Sequence, residues 1–359
     1  MNYRRLGKTG LQVSEIGFGT IPILSGHVPV LPEYFNLNIE EAIDIMTYAY
    51  KLGCNLYDTA IVPEYGDAEI KTGLFASKIG RENVILSDKA RAFTGEEMYH
   101  AMQCSYENLG TYADIYFVHQ ADEKNADQIF KPYGAVHALM ECKAEGKIRF
   151  VGIASHYYSV LYRAACDDRI DILQGSGNVL ERGILDRIEQ EPIFREKGFL
   201  LNKVYAAGML PSFFSVEQLL EMVLSYPISS ALLGLGTKEQ VRLAMSRKRN
   251  SYQRSSFFEV MARLEQSFVP IPCDRCQRCS CPYGVEISIL FRQYNYYFLG
   301  KDYWALRKLD MNIKDCAMLC KTCTDLFCIK QCPKEIKIPQ EVQKIYEMVK
   351  IHIRNSKIG

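Results

Sequence analysis

The sequence has no long apolar run and almost no net charge. No segment reaches the roughly 18 consecutive apolar residues of a membrane-spanning helix, and the first residues contain no apolar stretch that could act as a signal peptide. The 43 basic and 42 acidic residues leave a formal charge of +1, which attracts neither nucleic acid nor anionic lipid. These absences predict a small-molecule partner, no membrane association and a location in the cytoplasm.

Cysteine, in contrast, is abundant. The chain has 13 cysteines, and nine of them lie in its last quarter. Disulfide frameworks belong to short secreted chains without an adequate core, whereas 359 residues with 48% hydrophobic content can bury a large one. We therefore expect reduced cysteines with a chemical role, in a reducing cytoplasm.

Eight of the clustered cysteines fall into two runs with short spacings, and each run ends in a Cys-Pro pair, as in bacterial ferredoxins. The first run consists of Cys273, Cys276, Cys279 and Cys281. The second run consists of Cys320, Cys323, Cys328 and Cys332. These runs predict two [4Fe-4S] clusters and a function that involves electrons, with a ferredoxin or another electron carrier as a candidate partner.

In two-cluster ferredoxins the last cysteine of each run binds the cluster of the other run. That crossed arrangement assigns Cys332 to the first three cysteines of the first run, and Cys281 to the first three of the second. Zinc is the alternative, because it also binds closely spaced cysteines, four to a site. Cys316 lies in the same region, and no role is predicted for it.

The composition changes near residue 266, where two prolines in Phe268-Val-Pro-Ile-Pro272 mark a linker. We expect one domain over residues 1–265 and a second over residues 266–359. Helical periodicity in residues 287–298 and 303–309 predicts that the second domain is small and mainly helical.

Before that linker, short apolar runs alternate with amphipathic segments. The predicted strands are residues 16–18, 56–58, 84–87, 115–119, 150–154, 172–174, 198–201 and 230–233. Eight strand–helix units in about 250 residues predict an α/β fold, the closed parallel (β/α)8 TIM barrel, with its active site at the carboxyl ends of the strands. A doubly wound open sheet is the alternative, but Gly17-Phe-Gly19-Thr20 lacks the third glycine of its phosphate-binding turn.

Four polar residues follow or end neighbouring predicted strands, and a barrel would bring them into one pocket. Asp58 ends the second predicted strand, Lys89 follows the third, His119 ends the fourth, and Tyr65 lies in the loop after Asp58. A tyrosine acts as an acid at neutral pH only if its phenolate is stabilised, which Lys89 would do while Asp58 holds the ammonium. His119 would contact a substrate carbonyl, so the set predicts carbonyl reduction.

At these residues the chain resembles the aldo/keto reductase family, along the whole predicted barrel. The resemblance rests on Asn55-Leu-Tyr-Asp58-Thr-Ala, on Glu64-Tyr65-Gly and on Gly146-Lys-Ile-Arg-Phe-Val-Gly-Ile-Ala-Ser155. The cysteine-rich tail resembles that of the family's iron–sulfur branch. The resemblance implies that Tyr65 is the general acid, that Asp58, Lys89 and His119 complete the catalytic set, and that NAD(P)(H) exchanges hydride with a carbonyl or alcohol substrate.

The resemblance also implies a cofactor-binding set. Ser155 and Gln174 would hold the nicotinamide carboxamide, and the loop after Gly234 would bind the cofactor phosphates. The complete implied set is Gly19, Thr20, Ser155, His156, Gln174, Gly234, Gly236, Thr237, Glu239 and Gln240.

The sequence departs from the family pattern at two places near the catalytic set. Asp58 and Tyr65 are separated by two residues more than is usual, and Asp88 stands where the family has a small hydroxyl residue. Three functions remain open. The first is an NAD(P)-dependent carbonyl or alcohol oxidoreductase whose clusters relay electrons or stabilise the tail. The others are a nicotinamide-independent reductase fed by ferredoxin and a redox-sensing binding subunit.

Overall fold

The structure is a computed structural model that describes residues 1–26, 36–246, 271–300 and 303–356. The described residues separate into two compact units, each of which is taken by itself below. The first contains residues 1–26, 36–177, 185–204 and 216–246, and the second contains residues 178–184, 205–215, 271–300 and 303–356. The expected domain boundary between residues 265 and 266 lies outside the described residues.

The first unit is built on a closed barrel of eight parallel strands in sequential order, in which the last strand pairs with the first. The barrel strands are β3 (Ile16–Gly19), β4 (Leu56–Asp58), β5 (Ile85–Ala90), β6 (Ile115–Ala121), β7 (Phe150–Ser155), β8 (Ile172–Ser176), β9 (Gly198–Asn202) and β10 (Ser230–Gly234). The predicted barrel is confirmed, and the open-sheet alternative is wrong.

A hairpin of β1 (Tyr3–Arg5) and β2 (Gln12–Ser14) precedes the barrel, with Tyr3 opposite Ser14. Leu6 and Val13 from this hairpin pack in one buried cluster with barrel side chains such as Phe117 and Leu200. Burial of these apolar side chains is the main stabilising contribution to the barrel interior.

Helices follow the strands of the barrel. They are α1 (Ile39–Lys51), α2 (Ala68–Ile79), α3 (Gly95–Leu109), α4 (Ala126–Phe130), α5 (Ala135–Ala144), α6 (Tyr158–Ala165), α7 (Gly183–Gln190), α8 (Val216–Leu224) and α9 (Lys238–Met245). Short 3-10 helices occur at Ile21–Ile23, Pro63–Tyr65, Arg81–Asn83, Pro192–Glu196 and Leu210–Ser212. Capping boxes formed by Asn38 with Glu41 and by Thr94 with Glu97 begin α1 and α3 by satisfying otherwise unpaired N–H groups.

The strands extend further than the apolar runs predict at their carboxyl ends. Lys89 lies inside β5 rather than after it, and β6 continues past His119 to Ala121. The parallel ladder explains the difference, because Lys89 pairs with Phe117 and Ala90 with Val118 although the segment has become polar. Backbone pairing does not require apolar side chains where a strand end lines a pocket.

The second unit is mainly helical in its described part. Its helices are α10 (Ile287–Gly300), α11 (Tyr303–Thr322), α12 (Phe327–Gln331) and α13 (Ile338–Ser356). Their core contains Phe291, Leu309, Ile313, Val342 and Ile345, all nearly inaccessible to solvent. None of the described helices of the chain combines the length and apolar character that crossing a bilayer requires.

Residues 178–184, which follow β8, belong to this second unit. Glu181 is buried there between two guanidinium groups, with Arg275 Nη1 at 2.7 Å and Arg292 Nε at 3.4 Å. The N–H of Gly183 donates to the carbonyl of Asp274 at 2.7 Å. A compact unit of the protein is thus assembled from segments far apart in sequence.

Candidate active site

The centre of the barrel site is a buried ion pair at the ends of two neighbouring strands. Lys89 Nζ donates to Asp58 Oδ2 and to the Thr59 carbonyl, both at 2.6 Å. Asp58 Oδ1 accepts from Ser87 Oγ at 2.7 Å and from Gln174 Nε2 at 3.1 Å. The carboxylate is therefore held on both oxygens, and this fixes the position of the ammonium.

Burial lowers the pKa of Lys89, but the negative charge of Asp58, and the charges that Tyr65 and Asp88 carry when ionised, outweigh that effect, so the pKa of Lys89 lies above its ordinary value. The amine therefore remains an ammonium at neutral pH. A fixed positive charge in a buried site can stabilise a neighbouring anion strongly, because little water is present to screen it.

Tyr65 lies beside this ammonium despite the longer segment that precedes it. Lys89 Nζ is 5.1 Å from the centre of the Tyr65 ring. The longer segment between Asp58 and Tyr65 packs against β5 through two contacts. The N–H of Ile61 donates to the Lys89 carbonyl at 3.0 Å, and Arg91 Nη2 contacts Glu64 Oε1 at 2.5 Å. The 3-10 turn Pro63–Tyr65 then places the Tyr65 ring next to Lys89.

Burial raises the pKa of Tyr65, and the charge of Lys89 and a hydrogen bond to it act in the opposite direction. The negative charges of Asp58 and Asp88 add to the increase. The phenol is consequently protonated at neutral pH, as a proton donor must be, and the conjugate phenolate would have an ammonium beside it.

His119 is placed by an irregularity in β6. The register of β6 against β7 shifts between Val118 and Ala121, so that one extra residue is accommodated, and Gln120 has a φ of 53°. Such bulges redirect side chains next to active sites. Burial, together with the charges of Lys89, Arg91 and Lys203, lowers the pKa of His119 well below its usual range. A neutral imidazole can donate one hydrogen bond to a carbonyl oxygen.

Of the two residues expected to hold the nicotinamide carboxamide, Ser155 ends β7 and Gln174 lies in the middle of β8. Ser155 Oγ donates to the Ala121 carbonyl at 2.6 Å, and His156 Nδ1 lies 2.9 Å from Ser176 Oγ. Gln174 is 1% exposed, and its Oε1 has no hydrogen-bond partner within the described ranges. That oxygen is a buried acceptor, which a carboxamide N–H₂ would satisfy.

Gly19 and Thr20 lie at the end of β3. Thr20 is buried, and both its N–H and its Oγ1 donate to the Asp58 carbonyl, at 2.9 and 3.1 Å. A side chain on Gly19 would place a Cβ 3.2 Å from the Leu233 carbonyl oxygen. These two residues therefore connect the strand that bears Asp58 to the last strand of the barrel.

The loop after β10 leads into α9. Gly234 ends the strand, Thr237 Oγ1 caps the helix by accepting from the Gln240 N–H at 3.1 Å, and the Gly236 N–H donates to Gln240 Oε1 at 2.8 Å. Glu239 pairs with Arg242 at 2.6 Å. A helix start at the carboxyl end of the barrel is a physically suitable position for a phosphate.

The first three cysteines of the first run and Cys332 of the second run line one cavity in the second unit. Cys273, Cys276, Cys279 and Cys332 share this cavity with apolar side chains that include Phe291 and Ile336. The sequence predicted that these four cysteines act together. Among the described residues, no three His, Cys, Asp or Glu side chains surround a point at which a single metal ion could be held.

The remaining predicted ligands lie near one another in the same unit. The pKa of Cys320 is raised to about 11, first by burial and then by the neighbouring Cys281, Cys328, Cys316 and Cys323. Cys316 is thus close to the second group without belonging to either predicted set. The 13 cysteines all lie in the described part of the chain, and there none of them forms a disulfide.

Two features of the site were missed in the sequence. Ser87 donates a hydrogen bond to Asp58 from the face of β5 that points into the barrel. Lys89 lies two residues further along the same face, so the alternation of side chains along a strand could have predicted the position of Ser87. The same alternation turns Asp88 to the opposite face of β5, where Glu69 of α2 faces it. The hydrogen-bond partners of Lys89 Nζ are accordingly Asp58 and Thr59, while the charge of Asp88 still raises the pKa of Lys89.

Residues 15–203, more than half of the chain, match the Aldo/keto reductase family. The chain is 33% identical to L-galactose dehydrogenase of Arabidopsis thaliana over 161 residues, which are 42% of this chain and 47%, about half, of that protein. It is 26% identical to the NADH-specific methylglyoxal reductase of Escherichia coli K12 over 301 residues, covering 77% of this chain and 82% of that protein.

Solved structures give the same fold. An aldo-keto reductase from Bacillus halodurans in its holo form has a TM-score of 0.59 at 20% identity, covering 74% of this chain and 96% of that chain. An aldo-keto reductase from Klebsiella pneumoniae in complex with NADPH has a TM-score of 0.56 at 20% identity, covering 75% of this chain and 96% of that chain. At these identities the likeness concerns the fold alone.

Proposed function

This chain belongs to the aldo/keto reductase family, and we propose that it is an oxidoreductase that uses NAD(P)(H) to interconvert carbonyl and alcohol groups in the barrel. The observation that carries the proposal is the placement of Tyr65 beside Lys89, whose ammonium is held by Asp58. The Tyr65 phenol can donate a proton because the Lys89 ammonium stabilises the phenolate that remains, while the Asp58 carboxylate holds the ammonium in place.

The chain's own residues handle the proton and the orientation of the substrate. Tyr65 gives its proton to the carbonyl oxygen during reduction and takes it back during alcohol oxidation. Lys89 stabilises the phenolate that forms, and Asp58 keeps the ammonium in place. His119, which is uncharged, donates a hydrogen bond to the same oxygen and orients the carbonyl.

The residues present fit a nicotinamide. Gln174 of β8 offers a buried acceptor oxygen, and the start of α9 offers N–H groups to a phosphate. Ser155 and His156 would border the carboxamide, and Gly19, Thr20 and the loop from Gly234 to Gln240 would border the rest of the cofactor. A nicotinamide held by these residues would supply hydride for carbonyl reduction and would accept hydride in alcohol oxidation.

A small aldehyde or ketone is the proposed substrate. The Escherichia coli relative is named for methylglyoxal and the Arabidopsis relative for L-galactose, so these two compounds are the first to test. We also propose a reducing compartment such as the cytoplasm, since a long chain rich in cysteine is typical of a reducing environment when its cysteines bind a metal centre.

For the second unit we propose two [4Fe-4S] clusters. Support comes from the cavity that Cys273, Cys276, Cys279 and Cys332 line together, because four cysteines around one space are a suitable donor set. Cys281, Cys320, Cys323 and Cys328 would hold the second cluster. The clusters would supply one-electron transfer, with a ferredoxin or a similar carrier as the proposed partner, or would stabilise the unit.

The test is an anaerobic titration of the cluster-loaded protein with NADPH and with NADH, followed by nucleotide fluorescence and cluster absorbance together. Binding of either nucleotide without cluster bleaching, followed by turnover of methylglyoxal, would support hydride chemistry confined to the barrel. Binding with bleaching would support electron exchange between the cofactor and the clusters. If neither nucleotide binds while reduced ferredoxin drives turnover, the nicotinamide proposal is wrong.

A further inference from the structure

The loop that contains the first run of cysteines has an unusual backbone conformation at two positions. In this ligand loop, residues 273–281, Arg275 has a φ of 59° and Gln277 has a φ of 54°. Both values lie in the left-handed region, which is strained for residues other than glycine and persists only where the surrounding structure holds it. Left-handed residues also occur in the backbone concavities whose N–H groups bind anions, including iron–sulfur centres.

A separate segment of the second unit, residues 178–184, contacts this loop. We call it the anchor segment. It begins with a turn in which Asn178 Oδ1 accepts from the N–H of Leu180 at 2.9 Å and from the N–H of Glu181 at 3.1 Å. Asn178 is completely buried. The turn therefore fixes the backbone from which the Glu181 carboxylate extends.

Arg275 joins the ligand loop to the anchor segment through its side chain. Its Nη1 donates to Glu181 Oε2 at 2.7 Å, and the two side chains are 3% and 4% exposed. Arg292 Nε lies 3.4 Å from the other oxygen of the same carboxylate. Because a buried guanidinium is destabilising without its counter-charge, this ion pair holds the residue whose backbone is strained.

Gly183 contacts the ligand loop through the backbone. Its N–H donates to the Asp274 carbonyl at 2.7 Å. A Cβ on Gly183 would lie 2.3 Å from the Cys276 nitrogen and 2.4 Å from the Cys276 Cα. Both separations are far below van der Waals contact, and backbone atoms cannot rotate away as a side chain can. Any side chain at position 183 would therefore displace Cys276.

We propose that Glu181 and Gly183 are positioning residues for the first of the two proposed [4Fe-4S] clusters. Glu181 holds Arg275 in its left-handed conformation, and Gly183 leaves room for the Cys276 backbone. The predicted ligands of this cluster are Cys273, Cys276, Cys279 and Cys332, which line one cavity. The inference rests on the proposed clusters, and it makes the first of them depend on a segment that contains no cysteine.

The proposal predicts that substitutions in the anchor segment remove one cluster and leave the other. G183A and E181Q should each retain about half of the iron and acid-labile sulfide of the wild type, roughly four of eight irons. E181D keeps the charge and should retain more iron than E181Q. I345A is the control, because it creates a cavity in the core of the same unit and should lower stability without loss of iron.

Double variants show which cluster is lost. G183A and C332S should act on the same cluster, so the combined variant should hold as much iron as C332S alone. G183A combined with C320S, which removes a predicted ligand of the second cluster, should hold almost none. Iron, acid-labile sulfide and cluster absorbance would be measured on the full-length protein after anaerobic reconstitution, and far-UV circular dichroism would verify folding.

Full iron content in G183A and E181Q would overturn the proposal, as would less iron in G183A/C332S than in C332S. If G183A does not fold, the comparison of E181Q with E181D decides, and equal iron in these two variants would overturn the proposal. A wild-type protein that assembles no iron–sulfur cluster would instead refute the proposed clusters, so the two failures are distinguishable.

Discussion

Lys89 Nζ and Asp58 Oδ2 lie 2.6 Å apart, with both side chains almost completely buried. Because Asp58 also accepts hydrogen bonds from Ser87 and Gln174, the ion pair is held in one geometry rather than free to rearrange. The ammonium lies 5.1 Å from the centre of the Tyr65 ring. A buried ion pair contributes little net stability to the fold. The main effect of the Lys89–Asp58 pair is therefore to stabilise the phenolate of Tyr65.

Replacing Lys89 by Met should remove the charge that stabilises the Tyr65 phenolate. We expect kcat for carbonyl reduction to fall by about 10²- to 10⁴-fold. The free energy of unfolding should also fall, by roughly 3 kcal/mol, because Asp58 loses its cation. Steady-state kinetics and denaturant unfolding measure the two effects.

K71M is the control for this substitution. Lys71 is equally buried, and its ammonium contacts the carbonyl of Ile23 at 2.8 Å instead of a catalytic group. K71M should lose stability and keep the kcat of the wild type. If K89M also kept its kcat, the role given to the ammonium would be wrong.

His119 should remain uncharged throughout the range in which an ordinary histidine titrates. Its pKa is depressed by burial and by three cations, so its proton is lost well below the usual pKa and no charge change occurs as the pH rises through neutrality. The His119 imidazole resonance, assigned by comparison with H119N, should not move between about pH 6 and 8. A titration with a midpoint near 6.5 would contradict the assigned environment.

Glu181 should be a major determinant of stability in the second unit. Replacing it by Gln leaves Arg275 and Arg292 without their buried counter-charge, and we expect a loss of about 3–5 kcal/mol in the free energy of unfolding. The two guanidinium groups hold the pKa of Glu181 below its ordinary value in spite of burial. Its contribution is therefore present above the unfolded pKa of glutamate and is lost as the pH falls through the folded pKa.

Denaturant unfolding of the wild type and E181Q at neutral and at acidic pH checks both statements. The difference between the two proteins should shrink at the acidic pH. E347Q is a suitable control, because Glu347 is an exposed partner of Lys350 and should change stability by less than about 1 kcal/mol. An equal effect of both substitutions would contradict the account of Glu181.

The cluster ligands can be tested with one cysteine from the predicted set and one from outside it. C332S should lose about half of the iron and acid-labile sulfide of the reconstituted protein, since each of the two clusters holds four irons. C316S should retain all of it, although Cys316 lies near the second group. Zinc in place of iron in the wild type, at up to two ions per chain, would favour the alternative metal.

Much of the barrel could be predicted from sequence, because alternating apolar runs and amphipathic segments reflect burial directly. The ends of the strands could not, since β5 and β6 continue into polar residues such as Lys89 and His119, where pairing of the backbone decides the boundary. The assembly of the second unit was also beyond sequence reasoning. Glu181 and Arg275 are 94 residues apart, and no local pattern indicates that they pair.

The candidate site also has one part that the sequence predicts and another part that it does not. Asp58, Tyr65, Lys89 and His119 were selected by residue type and by position relative to predicted strands. The bulge at Gln120 arises from the register between β6 and β7, which a single sequence does not specify.

Replacement of Tyr65 by Phe tests the central claim most directly. The full-length, cluster-loaded protein would be assayed for nucleotide-dependent reduction of methylglyoxal, alongside nucleotide binding and cluster absorbance. We predict that Y65F binds nucleotide and keeps its clusters while kcat falls by at least about 10²-fold, because only the proton donor is removed. Turnover in Y65F equal to that of the wild type would contradict the account.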